Sequence, residues 1–316
     1  MMNILKLKNP YLNLELNSSK GHITKVIEFP GLWMSDDKLQ ELVNDLRTVV
    51  KTVNIENLDY GIVKGSKESL DCAVITIIYD KKTKKPFAFN ALTVMNCTIR
   101  GKATPVVHLG LVVVDPNSRA KGLSWILYGL TTFLLFLKNH FKPVWISNVT
   151  QVPAIIGMVS ESFGNVYPNP PLATRRSFDH LVLAKEIMEK HRHVFGVGEE
   201  AIFDEEVFVI RNAYTGGSDN LKKTWENAPK HRNSVYNDFA KGKLDYDRGD
   251  DILQLGQMDV KTYYHYLIHT IPNKSKVIIL YKIFFHLFEH SLVPVIQWFS
   301  PSKQMGILRP IGKDKV

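Results

Sequence analysis

The densest chemistry in this sequence lies between His108 and Leu137. The β-branched run Val112-Val113-Val114 reads as the end of a strand, Asp115-Pro116-Asn117-Ser118 as a turn, and Arg119-Ala120-Lys121-Gly122-Leu123-Ser124 as a basic loop leading into an apolar helix. In that order, successive backbone N–H groups from Arg119 to Ser124 fall at a helix N-terminus, where unpaired donors and the positive end of the helix dipole attract phosphate. Arg119 and Lys121 add full charges, and Gly122 lets the backbone close up. The spacing predicts an anion site. His108, at the other end of the strand, has an ordinary pKa of about 6.5, which suits proton abstraction at neutral pH. A strand histidine is equally suited to a structural hydrogen bond.

These residues resemble a known pattern. Leu109, Val112, Val114, Pro116, Arg119, Gly122 and Ser124 fall where the GCN5-related N-acetyltransferase (GNAT) superfamily has its central strand and its R/Q-x-x-G-x-G/A loop, with Ser124 in place of the last small residue. The resemblance implies that the loop from Arg119 to Ser124 grips the pyrophosphate of coenzyme A. It also implies that the main chain of Val112, Val113 and Val114 pairs with the pantetheine arm, inside a V formed with the strand after the central helix. Acetyl-CoA or a longer acyl-CoA would be the co-substrate, an acyl carrier protein thioester the alternative donor, and a small-molecule or lipid amine or hydroxyl the acceptor.

His108 lies where many members of that superfamily carry a glutamate base. Their usual general acid is a tyrosine on the helix after the separated strand, and counting along Ala154-Ile155-Ile156-Gly157-Met158 puts Met158 there. Tyr167 is the nearest substitute for protonating a leaving thiolate, or else a core tyrosine with a satisfied hydroxyl. Asn148 and Gln151 are candidate pantetheine or acceptor contacts, or helix caps. The missing tyrosine also leaves open a non-catalytic module that binds acyl-CoA without turnover.

A different chemistry, that of a metal-dependent hydrolase, is written in His286-Leu287-Phe288-Glu289-His290, an H-x-x-E-H sequence of the kind that binds zinc on a helix, with the carboxylate placed to activate a metal-bound water. His265 and His269 repeat the i, i+4 spacing. Downstream of His290, however, the one acidic residue is Asp314, so the usual glutamate third ligand is missing. The alternative is a polar stripe of Lys282, His286 and His290 on an otherwise apolar helix, buried, walling an acyl pocket or lying at a membrane surface.

Around the loop, the pattern predicts an α/β fold with a GNAT-like mixed, mostly antiparallel sheet flanked by helices. Leu39, Leu42, Val43, Leu46, Val49 and Val50 recur at helical spacing after an N-cap at Ser35. Strands are expected over Cys72 to Tyr79, Pro86 to Ile99 across a lysine-rich turn, Val106 to Val114, and Pro143 to Ser147. A helix from Ala154 to Ser162 follows, then a strand beginning at Val166-Tyr167. Beyond it, Arg175 to Phe195 reads as a helix with Phe178, Leu181, Val182, Ala184, Ile187 and Met188 as its core side, Phe203 to Arg211 as a strand, and Ile252 to Leu255 as a short strand. The division expected is residues 1–200 for the acyltransferase domain and 201–316 for a C-terminal α+β extension forming an acceptor or acyl-chain site or an oligomer contact, such as a homodimer interface.

At 316 residues and 45% apolar content the chain supports a sizeable core, which excludes a disordered or low-complexity protein. A formal charge of +9 implies attraction to polyanions, but the lysines and arginines are scattered, apart from a hairpin-like run from Lys81 to Lys85, so nucleic acid is not an expected partner. Two cysteines, Cys72 and Cys97, fit a reducing compartment. The N-terminal residues lack a signal-peptide pattern, and a cytoplasmic location is expected. The apolar run Leu123 to Leu137 would extend about 22 Å as a helix, short of a hydrocarbon core of about 30 Å. Residues 276–299 are longer but interrupted by charges, which leaves a peripheral membrane contact as the lipid-related expectation.

Overall fold

The computed structural model describes residues 10–17, 21–53, 61–118, 123, 125–170 and 174–269. Strand-forming residues come first: β1 (Asn13–Leu16) and β2 (His22–Glu28) lead into a helix, α1 (Asp36–Lys51), that buries Leu42, Val43, Leu46, Val49 and Val50 as the apolar spacing dictates. Ser35 is its N-cap by backbone geometry, but its side chain makes no capping bond; Asp36 and Asp37 in the first turn supply the favourable charge instead. Two short helices, α2 (Gly61–Lys64) and α3 (Lys67–Asp71), precede β3 (Ala73–Asp80). Cys72 therefore stands just ahead of its expected strand.

β3 and β4 (Pro86–Ile99) are joined by the lysine-rich turn, pinned by Asp80 Oδ1, which accepts from Lys82 N at 3.0 Å and Thr83 N at 2.8 Å. β4 and β5 (Lys102–Val114) form a long hairpin whose two turn residues, Arg100 and Gly101, both have positive φ, the geometry that matches the twist of paired strands. A π-helical turn over Trp125–Leu130 runs into α4 (Thr131–Lys138), followed by β6 (Val144–Thr150), α5 (Pro153–Ser162) and β7 (Gly164–Tyr167). α5 packs so tightly against His231 that a Cβ on Gly157 would lie 2.5 Å from that ring, which explains a glycine in mid-helix.

Downstream, α6 (Phe178–Glu186) continues through a π turn and a 3-10 turn to Phe195. The helix expected from Arg175 thus starts later, and Phe178 is 67% exposed rather than core. A capping box explains the shift: Ser177 and His180 bond reciprocally and turn His180, not Phe178, inward. The strand expected over Phe203 to Arg211 is a small hairpin, β8 (Ile202–Asp204) and β9 (Val209–Arg211), with Phe208 at φ 59°. α7 (Ser234–Lys243), β10 (Asp251–Met258) and α8 (Val260–His269) complete the described elements.

The strands form one sheet in the order β1-β2-β3-β4-β5-β6-β10-β9-β8, with β7 pairing to β10. Among the described residues all ladders are antiparallel except β5 with β6. One face packs on α1 to α3 and on α6; the other packs on α4, α5 and α7. β10 lies inside the sheet, between β6 and β9, so residues on both sides of position 200 share its ladders, and one compact unit runs from Met1 to Tyr264. Residues 265–316 form a second unit. Among the described residues, no helix is long and apolar enough to cross a membrane.

Candidate functional site

β5 and β6 start as parallel neighbours and then separate. Their ladder holds Val106 to Trp145, Val107 to Ile146 and His108 to Ser147, and among the described residues it goes no further. Past that point β6 pairs with β10 as far as Thr150, while among the described residues β5 keeps only β4, with Val112, Val113 and Val114 opposite Asn90, Phe89 and Ala88. A bulge begins the separation: Leu109 and Gly110 stand opposite Leu92 alone, which bends β5 and re-aims the side chains after it. The strand order, helices on both faces and a central parallel pair opening into a V decide the architecture. The fold is GNAT-like.

In this GNAT-like fold the main-chain edge of β5 that has no ladder partner among the described residues leads through Asp115 to Ser118 toward the basic loop. Arg119, Ala120, Lys121, Gly122 and Ser124 lie outside the described residues. Leu123 is buried against Val112, Val114, Ile126 and Leu127, and its carbonyl accepts from Ile126 N and Leu127 N, both at 3.0 Å, so helical turning begins there. A polar staple under that helix fixes its position. Asn90 is fully buried in β4, with Oδ1 accepting from Thr76 N at 3.1 Å and Nδ2 donating to Leu127 O; Thr131 Oγ1 donates to the same carbonyl at 2.7 Å and meets Thr76 Oγ1.

His108 sits at the vertex of the V. Its Nδ1 is 3.1 Å from Ser147 Oγ, its ring packs 5.1 Å from that of Phe195, and it is 3% exposed. Burial pushes its pKa down to about 4, so the imidazole is neutral at pH 7 and weakly basic. Tyr167 is not its neighbour. The cross-strand row runs His108, Ser147, Leu255, Tyr167, which puts the two about 14 Å apart at a strand spacing of about 4.8 Å. The Tyr167 hydroxyl donates to Glu206 O at 3.1 Å, and its ring packs on Phe208. Met158 packs among the apolar residues between α4, α5 and the sheet.

Asn148, the first residue of β6 beyond the vertex, is buried and donates from Nδ2 to Gln254 Oε1 at 3.2 Å. Gln151, at the end of β6, is also buried; its carbonyl accepts from Tyr246 Oη at 2.7 Å and its amide contacts the Tyr214 hydroxyl. Tyr214 in turn donates to Asp251 Oδ1 at 3.1 Å, and burial pushes that carboxyl up to about 7. The structure thus brings His108 and Ser147 together at the vertex, sets the next side chain, Asn148, on the opposite face of the sheet with Gln254 and α5, and gathers Gln151, Tyr214 and Asp251 at the far end of β6. Sequence reasoning did not find Asn90, Gln254, Tyr214 or Asp251. The first two carry a signal in hindsight, each being an amide with apolar residues on both sides inside a strand.

The H-x-x-E-H stretch and residues 276–299 lie outside the described residues, as do the side chains of His265 and His269. Among the described residues no cluster of metal-ligand type occurs.

No protein-family model matches this sequence, and no curated protein matches it. Solved structures similar to it include acetyltransferases. An aminoglycoside N-acetyltransferase in complex with CoA aligns over 37% of this chain and 70% of its own, at 16% identity and a TM-score of 0.27. The ribosomal-protein-S5-alanine acetyltransferase of Vibrio fischeri aligns over 43% and 74%, at 11% identity and a TM-score of 0.30. An acetyltransferase of Trypanosoma brucei aligns over 37% and 76%, at 18% identity and a TM-score of 0.27. These scores are low, and the fold assignment rests on the strand order and the parting of β5 from β6.

Proposed function

We propose that this chain transfers an acyl group from a coenzyme A thioester directly to an amine or hydroxyl acceptor. The observation that carries the reading is the V itself. Beyond the His108–Ser147 pair, β5 has a main-chain edge with no ladder partner among the described residues, and that edge runs straight into a basic, glycine-containing loop and a helix start. A pantetheine arm is an extended chain of amides, which suits pairing with such an edge, while the helix N-terminus with Arg119 and Lys121 suits the phosphates. Held there, the thioester would lie near the vertex. The acceptor attacks the carbonyl, the C–S bond breaks, the acceptor loses a proton, and the thiolate gains one.

His108 is the proposed base, already unprotonated at neutral pH but weak. Its burial beneath Phe195 and its contact with Ser147 favour a second reading, in which the V binds acyl-CoA without turnover. Chain length, a carrier-protein donor and the choice of nitrogen or oxygen acceptor belong to the proposal.

Calorimetric titration with acetyl-CoA and a long-chain acyl-CoA, beside Arg119→Glu, tests the donor site. Binding by the wild type that falls at least tenfold in the variant (about 1.4 kcal/mol) is the expected outcome, and equal binding by both proteins would remove the phosphate loop from the account. Release of free thiol from acetyl-CoA in the presence of amines then separates turnover from binding alone.

A further inference from the structure

Gln254 stands fully buried in β10, and its amide can face only one way. Nε2 lies 3.3 Å from Ile156 O, 3.0 Å from Ser160 Oγ and 3.2 Å from Pro168 O. Two of these partners are carbonyl oxygens, which only accept, so Nε2 must point at them and Oε1 must point toward β6. There Oε1 takes a bond from Asn148 Nδ2 at 3.2 Å, directly across the ladder. That bond orients the second amide too. With Nδ2 committed to Gln254, Asn148 holds Oδ1 on the other branch of its amide, and no described residue donates to that oxygen.

From this geometry, and resting on the acyl-transfer reading above, we propose that Gln254 is a positioning residue for the donor. It locks Asn148 so that a carbonyl oxygen, not an NH2 group, is offered where β6 leaves β5. The β6 side of the V then takes an N–H donor, which a pantetheine amide supplies, while the β5 edge pairs with the rest of the arm. A merely space-filling Gln254 would satisfy its neighbours without deciding which Asn148 atom is free. Removing it lets the Asn148 amide rotate, and half of the rotated states offer a donor to a donor.

The test titrates the full chain with CoA and with 3′,5′-ADP, which keeps two of the three phosphates of CoA and has no pantetheine, using wild type, Gln254→Met, Asn148→Leu and the double variant. The expected result is a loss of about tenfold in CoA affinity for Gln254→Met, the size of one buried hydrogen bond. Asn148→Leu should lose at least as much, the double variant no more than Asn148→Leu alone, and 3′,5′-ADP should bind all four equally. Unchanged CoA affinity in Gln254→Met, additive losses, or an equal loss toward 3′,5′-ADP would each overturn the proposal. Should Gln254→Met fail to fold, Ser160→Ala removes a single anchor; it should cost a few-fold toward CoA alone, and no loss counts against the relay. A wild type that does not bind CoA overturns the donor reading and this proposal together, whereas intact binding with an indifferent Gln254→Met overturns only the latter.

Discussion

His108 and Asp251 are both buried titratable groups, and their environments move them in opposite directions. His108 has its pKa lowered to about 4 by burial, so the unfolded chain takes up a proton at a higher pH than the fold does. Its contribution to stability is complete above about pH 6.5 and is lost as pH falls toward 4. Asp251 is raised to about 7, first by burial and then by the neighbouring Asp250 charge, against the Tyr214 hydrogen bond. Its contribution is complete below about pH 4 and is lost as pH rises toward 7. Over the interval from pH 4 to 6.5 the two oppose each other, each with a limiting slope of about 1.4 kcal/mol per pH unit. Wild-type stability should therefore vary less over that interval than the stability of either single variant. Asp251→Asn should gain stability as pH rises from 4.5 to 6.5, and His108→Gln should lose it. Urea midpoints at those two pH values measure both, and parallel slopes in the two variants would refute the assignment.

Among the elements, the helix that follows the basic loop depends on the sheet beneath it. Thr76, Asn90 and Val112 form one row across β3, β4 and β5, so the staple to Leu127 O ties the helix start to the strand whose edge the pantetheine would pair with. Asn90→Leu removes one donor from a buried carbonyl and should cost about 1–3 kcal/mol of stability. It should also weaken 3′,5′-ADP and CoA alike, because the phosphate end shifts, in contrast to Gln254→Met; calorimetry with both ligands decides, and unchanged 3′,5′-ADP affinity would speak against the tether.

Much at this scale was legible in the sequence. α1, β3, β4 and β5 follow from apolar periodicity, and His108 was singled out from its place in the strand pattern. Phe178 misled because it shares the helical spacing of Leu181 and Val182, and only the Ser177–His180 capping box decides which side turns inward. The Tyr214–Asp251 and Asn148–Gln254 contacts were illegible for another reason: each joins segments far apart in the chain, and local pattern carries no pairing information.

For the whole molecule, the decisive feature is the place of β10. Ile252 to Leu255 announces a strand, but not that it enters the sheet between β6 and β9 and also carries β7. Phe208, Leu253 and Leu255 share a core with Trp145, Leu183 and Ile187, so the residues after 200 complete the core of those before it. A chain ending at residue 200 should bare the edge of β6 and this apolar face, and should aggregate or lose its cooperative thermal transition. Circular dichroism melts and gel filtration of that truncation check the expectation, and a monomer melting as sharply as the full chain would contradict it.

The same arrangement imposes an order on biosynthesis. Asn148 meets its partner Gln254 only after 106 further residues have been added, so a chain growing at roughly 5–20 residues per second waits about 5–20 seconds with β6 lacking its second neighbour. For that interval the nascent polypeptide holds a half-made sheet outside the ribosome, and whatever shields exposed strands in the cell has its occasion there.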